Sequence, residues 1–250
     1  MDLGLTGKVA LVTGGRRGIG AAVARTLAAE GCHVAIVDRE TDVQAESVRR
    51  AIEAMGRRAV LLAADVRDVD TAQRVVDDVV RRLGRLDVLV CAAGITADGM
   101  VWKLTEAQWD DVLDVNLKGC FAYTRAAAAV FKAQRSGRVV NVASINGLRG
   151  KPGQANYAAS KGGVIAFTRA VAREMGRYDV TVNAIAPGMI ETDMTRTLPA
   201  EVLERAVQES ALGRLGTPDD CANLVAFLCS TAARHITGAV ITVDGGQLMA

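Results

Sequence analysis

The segment Val9–Gly20, VALVTGGRRGIG, decides how this chain is read. An unbroken apolar run ends at Thr13, glycines follow at positions 14, 15, 18 and 20, and an alanine-rich stretch with helical character begins at once. Continuous rather than alternating apolar character suits a strand covered on both faces, as in a parallel sheet. Glycines permit a tight turn and close backbone approach, and the start of the next helix offers free N–H groups and a partial positive charge to a pyrophosphate. Strand, glycine turn and helix, with the acidic Asp38 eighteen residues beyond Gly20, together fit a dinucleotide-binding fingerprint. Gly14, Arg17, Gly18, Ile19 and Gly20 are the residues expected against the phosphates.

Six further Val-rich runs follow: VAIV from Val34, AVLLA from Ala59, DVLV from Asp87, RVVNVA from Arg138, VTVNAIA from Val180 and AVITV from Ala239. Helical periodicity fills the gaps. Asp68 is a natural N-cap for VDTAQRVVDDVVRRL, whose Ala72, Val75, Val76, Val79, Val80 and Leu83 share one face, and Gly84 terminates it. Gly31 and Gly56 punctuate two earlier helices. The alternation predicts an α/β fold, a Rossmann-type doubly wound parallel sheet of about seven strands with helices on both faces. Neither a repeat nor a linker divides the chain, so residues 1–250 are expected to form one domain.

With 30 Lys and Arg against 28 Asp and Glu, the net charge is +2, and half the residues are hydrophobic. This balance points to neither nucleic acid nor a membrane surface, and no apolar run approaches the roughly 18 residues that span a bilayer. The opening MDLGLTGKVALVTGG has no basic leader and no cleavage site, so a cytoplasmic location is expected. Five cysteines without a CxxC pair, and only two histidines, argue against a disulfide framework or a metal site. The cysteines read as small buried hydrophobes.

Chemistry enters with SINGLRGKPGQANYAASK. Tyr157 and Lys161 are four apart on an expected helix and therefore share a face. An unperturbed tyrosine titrates near pH ~10 and serves poorly as an acid or base at neutrality, whereas a neighbouring ammonium favours the phenolate. Ser144, thirteen residues before Tyr157 at the end of a buried strand, has a hydroxyl suited to polarising a carbonyl.

The glycine pattern TGxxxGxG, with Ser144, Tyr157, Lys161 and the Asn116 of DVNLKG, resembles the short-chain dehydrogenase/reductase family along essentially the whole chain, from Lys8 to VDGGQLMA. The resemblance implies that Asn116 positions a water leading to Lys161, that Asp65 and Val66 hold an adenine, and that Pro187, Gly188, Ile190 and Thr192 hold the nicotinamide end. It implies hydride delivery to a ketone carbon while Tyr157 protonates the oxygen, with Ser144 holding that oxygen and Lys161 also bonding the nicotinamide ribose. The family usually reads NNAG after the fourth strand, where this chain has Cys91, Ala92, Ala93 and Gly94; the missing amides must be replaced by other partners.

Cofactor choice turns on IVDRE. The Asp38 carboxylate accepts hydrogen bonds from the ribose hydroxyls of NAD(H) and repels a 2′-phosphate, whereas Arg39 and Arg17 attract one. NAD(H) is favoured, and NADP(H) is accommodated if the two arginines converge. Within the family, GITADGM, PGMIETDMTRTL and ITGAVITVDGGQLM resemble bacterial 3-oxoacyl-(acyl carrier protein) reductases, with acetoacetyl-CoA reductases close behind. A 3-ketoacyl thioester is the implied substrate and acyl carrier protein an implied partner, docked on basic residues such as Arg135 and Arg177, the latter beside Tyr178 where the pattern has its second basic position. Arg149 and Lys151 are placed to meet a coenzyme A phosphate instead. Residues 188–216 are expected to form a substrate lid, and relatives imply a homotetramer. The alternatives are a dehydrogenase or ketoreductase of a secondary alcohol, cyclic ketone or polyketide intermediate, and a non-catalytic dinucleotide sensor on the same fold.

Overall fold

A computed structural model of the protein describes residues 2–249; Met1 and Ala250, the ends of the expected domain, lie outside the described residues. Seven strands form one sheet: β1 (Val9–Thr13), β2 (His33–Asp38), β3 (Ala59–Ala63), β4 (Val88–Cys91), β5 (Gly137–Val142), β6 (Val180–Pro187) and β7 (Val240–Val243). All pairings are parallel and the order is β3-β2-β1-β4-β5-β6-β7. The doubly wound sheet expected from the apolar runs is therefore present. Its order reverses at β1 and β4, the place where such sheets open a crevice beyond their carboxyl ends.

Successive strand residues divide between two cores because side chains alternate across a sheet. Val9 and Leu11 pack beneath α3 (Val69–Leu83), α5 (Gly119–Gln134) and α7 (Ala155–Met175), whereas Ala10 and Val12 pack beneath α1 (Gly18–Ala29), α2 (Val43–Ala54) and α10 (Pro218–Cys229). All five cysteines lie free and buried. Two cores of close-packed Val, Ala and Leu leave the strand ends as fixed points, and functional side chains attach there.

Local signals act as the residues require. The Asp68 carboxylate accepts from the backbone of Asp70 and Thr71 at the start of α3, and Gly84 ends that helix in the left-handed region. Asp42 caps α2, while Thr105 and Thr217 form capping boxes on α4 (Glu106–Leu113) and α10. Between α4 and α5 the chain widens into a π-type turn, Asp114–Lys118, with Asn116 at its centre. Two short helices, α8 (Asp193–Arg196) and α9 (Ala200–Glu209), lie between β6 and α10, and the four-residue α6 (Asn146–Arg149) lies between β5 and α7. Among the described residues no helix is long and apolar enough to cross a membrane.

Candidate active site

The carboxyl ends of β1 through β6 border a cleft of about 1260 Å³, larger than the roughly 300–1,000 Å³ that a single small ligand fills. Gly14, Arg17, Gly18, Ile19, Gly20, Asp38, Arg39, Asp65, Val66, Ala92, Ala93, Gly94, Ser144, Tyr157, Lys161, Pro187, Gly188, Ile190 and Thr192 all line it. Of the catalytic and cofactor residues expected from sequence, only Asn116 stands behind the wall, fully buried.

The glycine turn is shaped by exclusion. Gly14 adopts φ +66°, and a Cβ there would lie 2.7 Å from the backbone of Ala93; a Cβ on Gly20 would lie 2.1 Å from the Gly14 carbonyl oxygen. Side chains at either place would close the turn. The helix beyond it differs from α2, α3, α4 and α10: Arg17 at its N-cap makes no side-chain capping bond. The first-turn N–H groups of a twelve-residue helix thus open towards the cleft, where the helix dipole favours an anion. A cradle that a Cβ would fill and an uncapped helix start fit a pyrophosphate.

At the tip of β2, Asp38 accepts from the Arg39 backbone at 2.9 Å and more weakly from the Arg16 backbone at 3.4 Å. The arginine whose side chain comes to it is Arg16, which sequence reasoning passed over in favour of Arg17 and Arg39. Arg16 Nε stands 3.9 Å from Asp38, and its Nη1 bonds Glu40 at 2.8 Å and Asp42 at 2.5 Å. Burial works against the Arg16 charge, and the three carboxylates outweigh it and raise its pKa. Arg17 is exposed and unpaired among the described residues, and Arg39 reaches only Glu40, at 3.9 Å.

Asp65, two residues past β3, is gripped by Arg67 through contacts of 2.7 to 3.0 Å. This holds its carboxyl below the ordinary range despite partial burial. The loop after β4, lacking the family's usual amides, is satisfied by Thr13: its Oγ1 accepts from Ala92 at 3.2 Å and from Ala93 at 3.4 Å. Cys91 is 2% exposed, and its hydrogen bond to Cys120 together with burial pushes its thiol up, as suits an inert strand end.

The reacting end is assembled by α7. Tyr157 and Lys161 share its inner face, with Lys161 Nζ 5.7 Å from the Tyr157 ring centre. Lys161 is 4% exposed and donates to the Val142 carbonyl at 2.7 Å, which leaves two N–H bonds for other partners. Ser144 Oγ accepts from the Asn146 backbone at 3.1 Å. Among the described residues the Tyr157 hydroxyl has no partner, so it is available to a ligand. Asn116 makes a two-way clamp on Ile95, accepting from its N–H at 2.8 Å and donating to its carbonyl at 3.0 Å, and also donates to Ser160 at 3.0 Å. A Cβ at Gly94 would lie 3.3 Å from Asn116 Oδ1 and 3.4 Å from Lys161 Nζ, so the two groups converge on that glycine. The amide expected to hold a water is thus engaged with protein groups as well.

Two further residues complete the wall without a sequence signal. Gln154 is buried, accepts from Asn146 Nδ2 at 3.0 Å and donates to Asp98 at 2.9 Å, joining the loop after β4 to the segment that carries Ser144. Gln247 accepts from the Met189 backbone at 2.9 Å, and Gly188 is required beside it because a Cβ would meet Gln247 Oε1 at 2.2 Å. No group of three potential metal ligands occurs among the described residues.

Fold and constellation define a Rossmann-type oxidoreductase acting on an alcohol–carbonyl pair. The chain belongs to the short-chain dehydrogenase/reductase family: the family model described as enoyl-(acyl carrier protein) reductase matches residues 14–247. It is 45% identical over 242 residues to the 3-oxoacyl-[acyl-carrier-protein] reductase FabG of Staphylococcus aureus strain Mu50, covering 97% of this chain and 98% of that one. It is 43% identical over 246 residues to the 3-oxoacyl-[acyl-carrier-protein] reductase of Synechocystis, covering 98% of each. A crystal structure described as a short-chain alcohol dehydrogenase from Sinorhizobium meliloti 1021 superposes with a TM-score of 0.93 at 40% identity, covering 97% of this chain and 96% of that one.

Proposed function

We propose that this protein reduces a 3-ketoacyl thioester to the 3-hydroxyacyl thioester, with NADH as the favoured cofactor. The observation that carries the reading is the convergence of Ser144, Tyr157 and Lys161, with Asn116 behind them, beside an uncapped helix start and a glycine cradle. The names of the relatives supply the thioester.

A nicotinamide cofactor held in the cleft would supply the hydride for the ketone carbon. The Tyr157 hydroxyl gives its proton to the substrate oxygen, and Ser144 donates a hydrogen bond to the same oxygen while its own oxygen is held by Asn146 N. Lys161, anchored on Val142, stabilises the phenolate that results and keeps an N–H for the nicotinamide ribose. Asn116 fixes Ile95 and so the loop after β4 that lines the cleft. Gly14 through Gly20 take the pyrophosphate, Asp65 and Val66 the adenine, Ala92 to Gly94 the nicotinamide ribose side, and Pro187, Gly188, Ile190 and Thr192 the carboxamide. At the adenosine ribose, Asp38 takes the hydroxyls of NADH. Arg16 neutralises only part of the acid cluster that Asp38, Glu40 and Asp42 form.

Residues 188–216 act as a lid. A backbone bridge between Ile190 and Gly216 closes its base, and Leu198, Val202 and Ala206 face the cleft. For an acidic carrier protein the docking face comprises Lys132 and Arg177, both against the Tyr178 ring, and Arg135, which donates to the Arg177 carbonyl. These residues lie at the amino ends of β5 and β6, away from the cleft of their own chain, so the docking reading requires a homotetramer in which a carrier seated there serves the cleft of another subunit.

The test is turnover of acetoacetyl-CoA against a panel of free ketones and secondary alcohols. Thioester reduction supports the reading. Its absence alongside ketone reduction would favour the second reading, a ketone or alcohol dehydrogenase, to which the Sinorhizobium neighbour's description points.

A further inference from the structure

Arg149 ends α6, five residues beyond Ser144, and Lys151 follows two residues later; both line the substrate half of the cleft. Arg149 is poorly satisfied. Its Nη1 and Nη2 both reach a single oxygen of Glu209 on α9, each at 3.3 Å, and its Nε lies 3.3 Å from Asn146 Oδ1. Elsewhere in the molecule a forked arginine pair is shorter: Arg85 holds both oxygens of Asp87 at 2.6 and 2.8 Å. The other Glu209 oxygen accepts from Arg205 Nε, also at 3.3 Å. Lys151 is half-buried and its ammonium has no partner among the described residues.

Arg149 and Lys151 therefore stand on one side of a single stretched carboxylate, with the exposed Arg205 of α9 on the lid side. The other acids lining this part of the cleft are Glu201 on α9 and Asp98, the latter engaged by Gln154. A phosphate has the oxygens to take the Arg149 fork at about 2.7–2.9 Å and the Lys151 ammonium as a point charge, a better set of bonds than Glu209 provides.

We propose that Arg149, with Lys151, is the specificity-determining contact for a phosphate on the thioester handle, and that Glu209 is its internal competitor. The inference rests on the thioester reading and goes beyond it by assigning the residues that recognise the handle. Recognition exchanges the Arg149–Glu209 pair for an Arg149–phosphate pair and so frees α9 from the α6 segment.

A purely structural latch between α6 and α9 would make loss of either partner act in the same direction; a competitor makes them act oppositely. The measurement compares kcat/KM for acetoacetyl-CoA, acetoacetyl-phosphopantetheine and the uncharged acetoacetyl-N-acetylcysteamine thioester, read as ratios to the uncharged one. Arg149→Met is expected to lower the ratio for a phosphate-bearing thioester about tenfold or more, the size of a lost charged hydrogen bond. Glu209→Gln is expected to raise it a few-fold, and Arg149→Lys to retain most of it. A loss common to both charged thioesters supports contact with the pantetheine phosphate; a loss confined to acetoacetyl-CoA supports contact with its nucleotide phosphates. Unchanged ratios in Arg149→Met, or a fall in Glu209→Gln as well, would overturn the proposal. Binding of free coenzyme A to the cofactor-loaded protein, by calorimetry, separates the two levels. Arg149-dependent binding without thioester turnover would refute the reductase reading alone, whereas thioester turnover with Arg149-independent binding would refute this inference alone.

Discussion

Replacing Asp38 is the perturbation whose outcome is most completely determined by the geometry. Its carboxylate is 20% exposed and pinned by the Arg39 backbone, so it cannot swing away from a ribose docked on β2. A unit negative charge at about 4 Å is opposed by about 4 kcal/mol at an effective dielectric of 20 and by about 1 kcal/mol in water. Arg16 offsets part of this, but Glu40 and Asp42 hold it more tightly than Asp38 does. Arg17 and Arg39 return positive charge only from long, solvated stems, where an ion pair is worth at most about 1 kcal/mol. An intermediate net penalty of about 2 kcal/mol corresponds to a preference for NADH over NADPH of about 30-fold in kcat/KM. Steady-state kinetics with both cofactors measure it. Asp38→Asn, which keeps an acceptor for the Arg39 N–H, should cut the preference to a few-fold or less, while Asp38→Ala should also lose about tenfold with NADH by removing the charged hydroxyl contacts. Wild-type preference for NADPH, or an unchanged ratio in both variants, would show that the arginines prevail over Asp38.

Three further outcomes follow from the site's construction. Gly20→Ala places a methyl group 2.1 Å from the Gly14 carbonyl; loss of dinucleotide binding by calorimetry is expected, with destabilisation of roughly 3 kcal/mol or more. Asn116→Ala leaves Ile95 and Ser160 without their partners and should cost about 2 kcal/mol, a fall in melting temperature of about 4–8 °C, together with lower kcat. The third concerns acid stability. Arg67 keeps the Asp65 carboxyl below its ordinary value, so the folded protein binds that proton more weakly than the unfolded chain does. The stabilisation is complete above about pH 4 and drains as pH falls through the lowered folded value. Arg67→Ala should therefore move the acid-unfolding midpoint, followed by circular dichroism, to higher pH; a midpoint that stays in place would contradict the assignment.

What the sequence made legible was local. The β1 and β3 runs and the α3 boundaries, Asp68 to Gly84, coincide with the observed elements because burial on both faces and capping are written in adjacent residues. The candidate catalytic positions were legible through spacing and family resemblance, since Tyr157 and Lys161 share a helix and Ser144 follows β5 by two residues. The partners that hold the site were hidden by sequence distance. Thr13 is 79 residues from the Ala92 N–H it satisfies, Gln154 is 56 from Asp98, and Arg149 is 60 from Glu209. Arg16 and Arg17 are neighbours of the same type, and only the direction of the turn decides which one faces Asp38. The π-type turn that delivers Asn116 has no residue signature, because tertiary bonds to Ile95 and Ser160 accompany it rather than a local motif.

The proposed reductase function turns on one step, the transfer of the Tyr157 proton to the oxygen of the ketoacyl thioester as it is reduced. Oxidation of NADH by acetoacetyl-CoA, followed for the wild type and Tyr157→Phe alongside calorimetric NADH binding, tests it most directly. Turnover is expected in the wild type, with a fall of about 10²–10⁴-fold or more in the variant and NADH affinity retained within a few-fold. Unimpaired turnover in Tyr157→Phe would contradict that step.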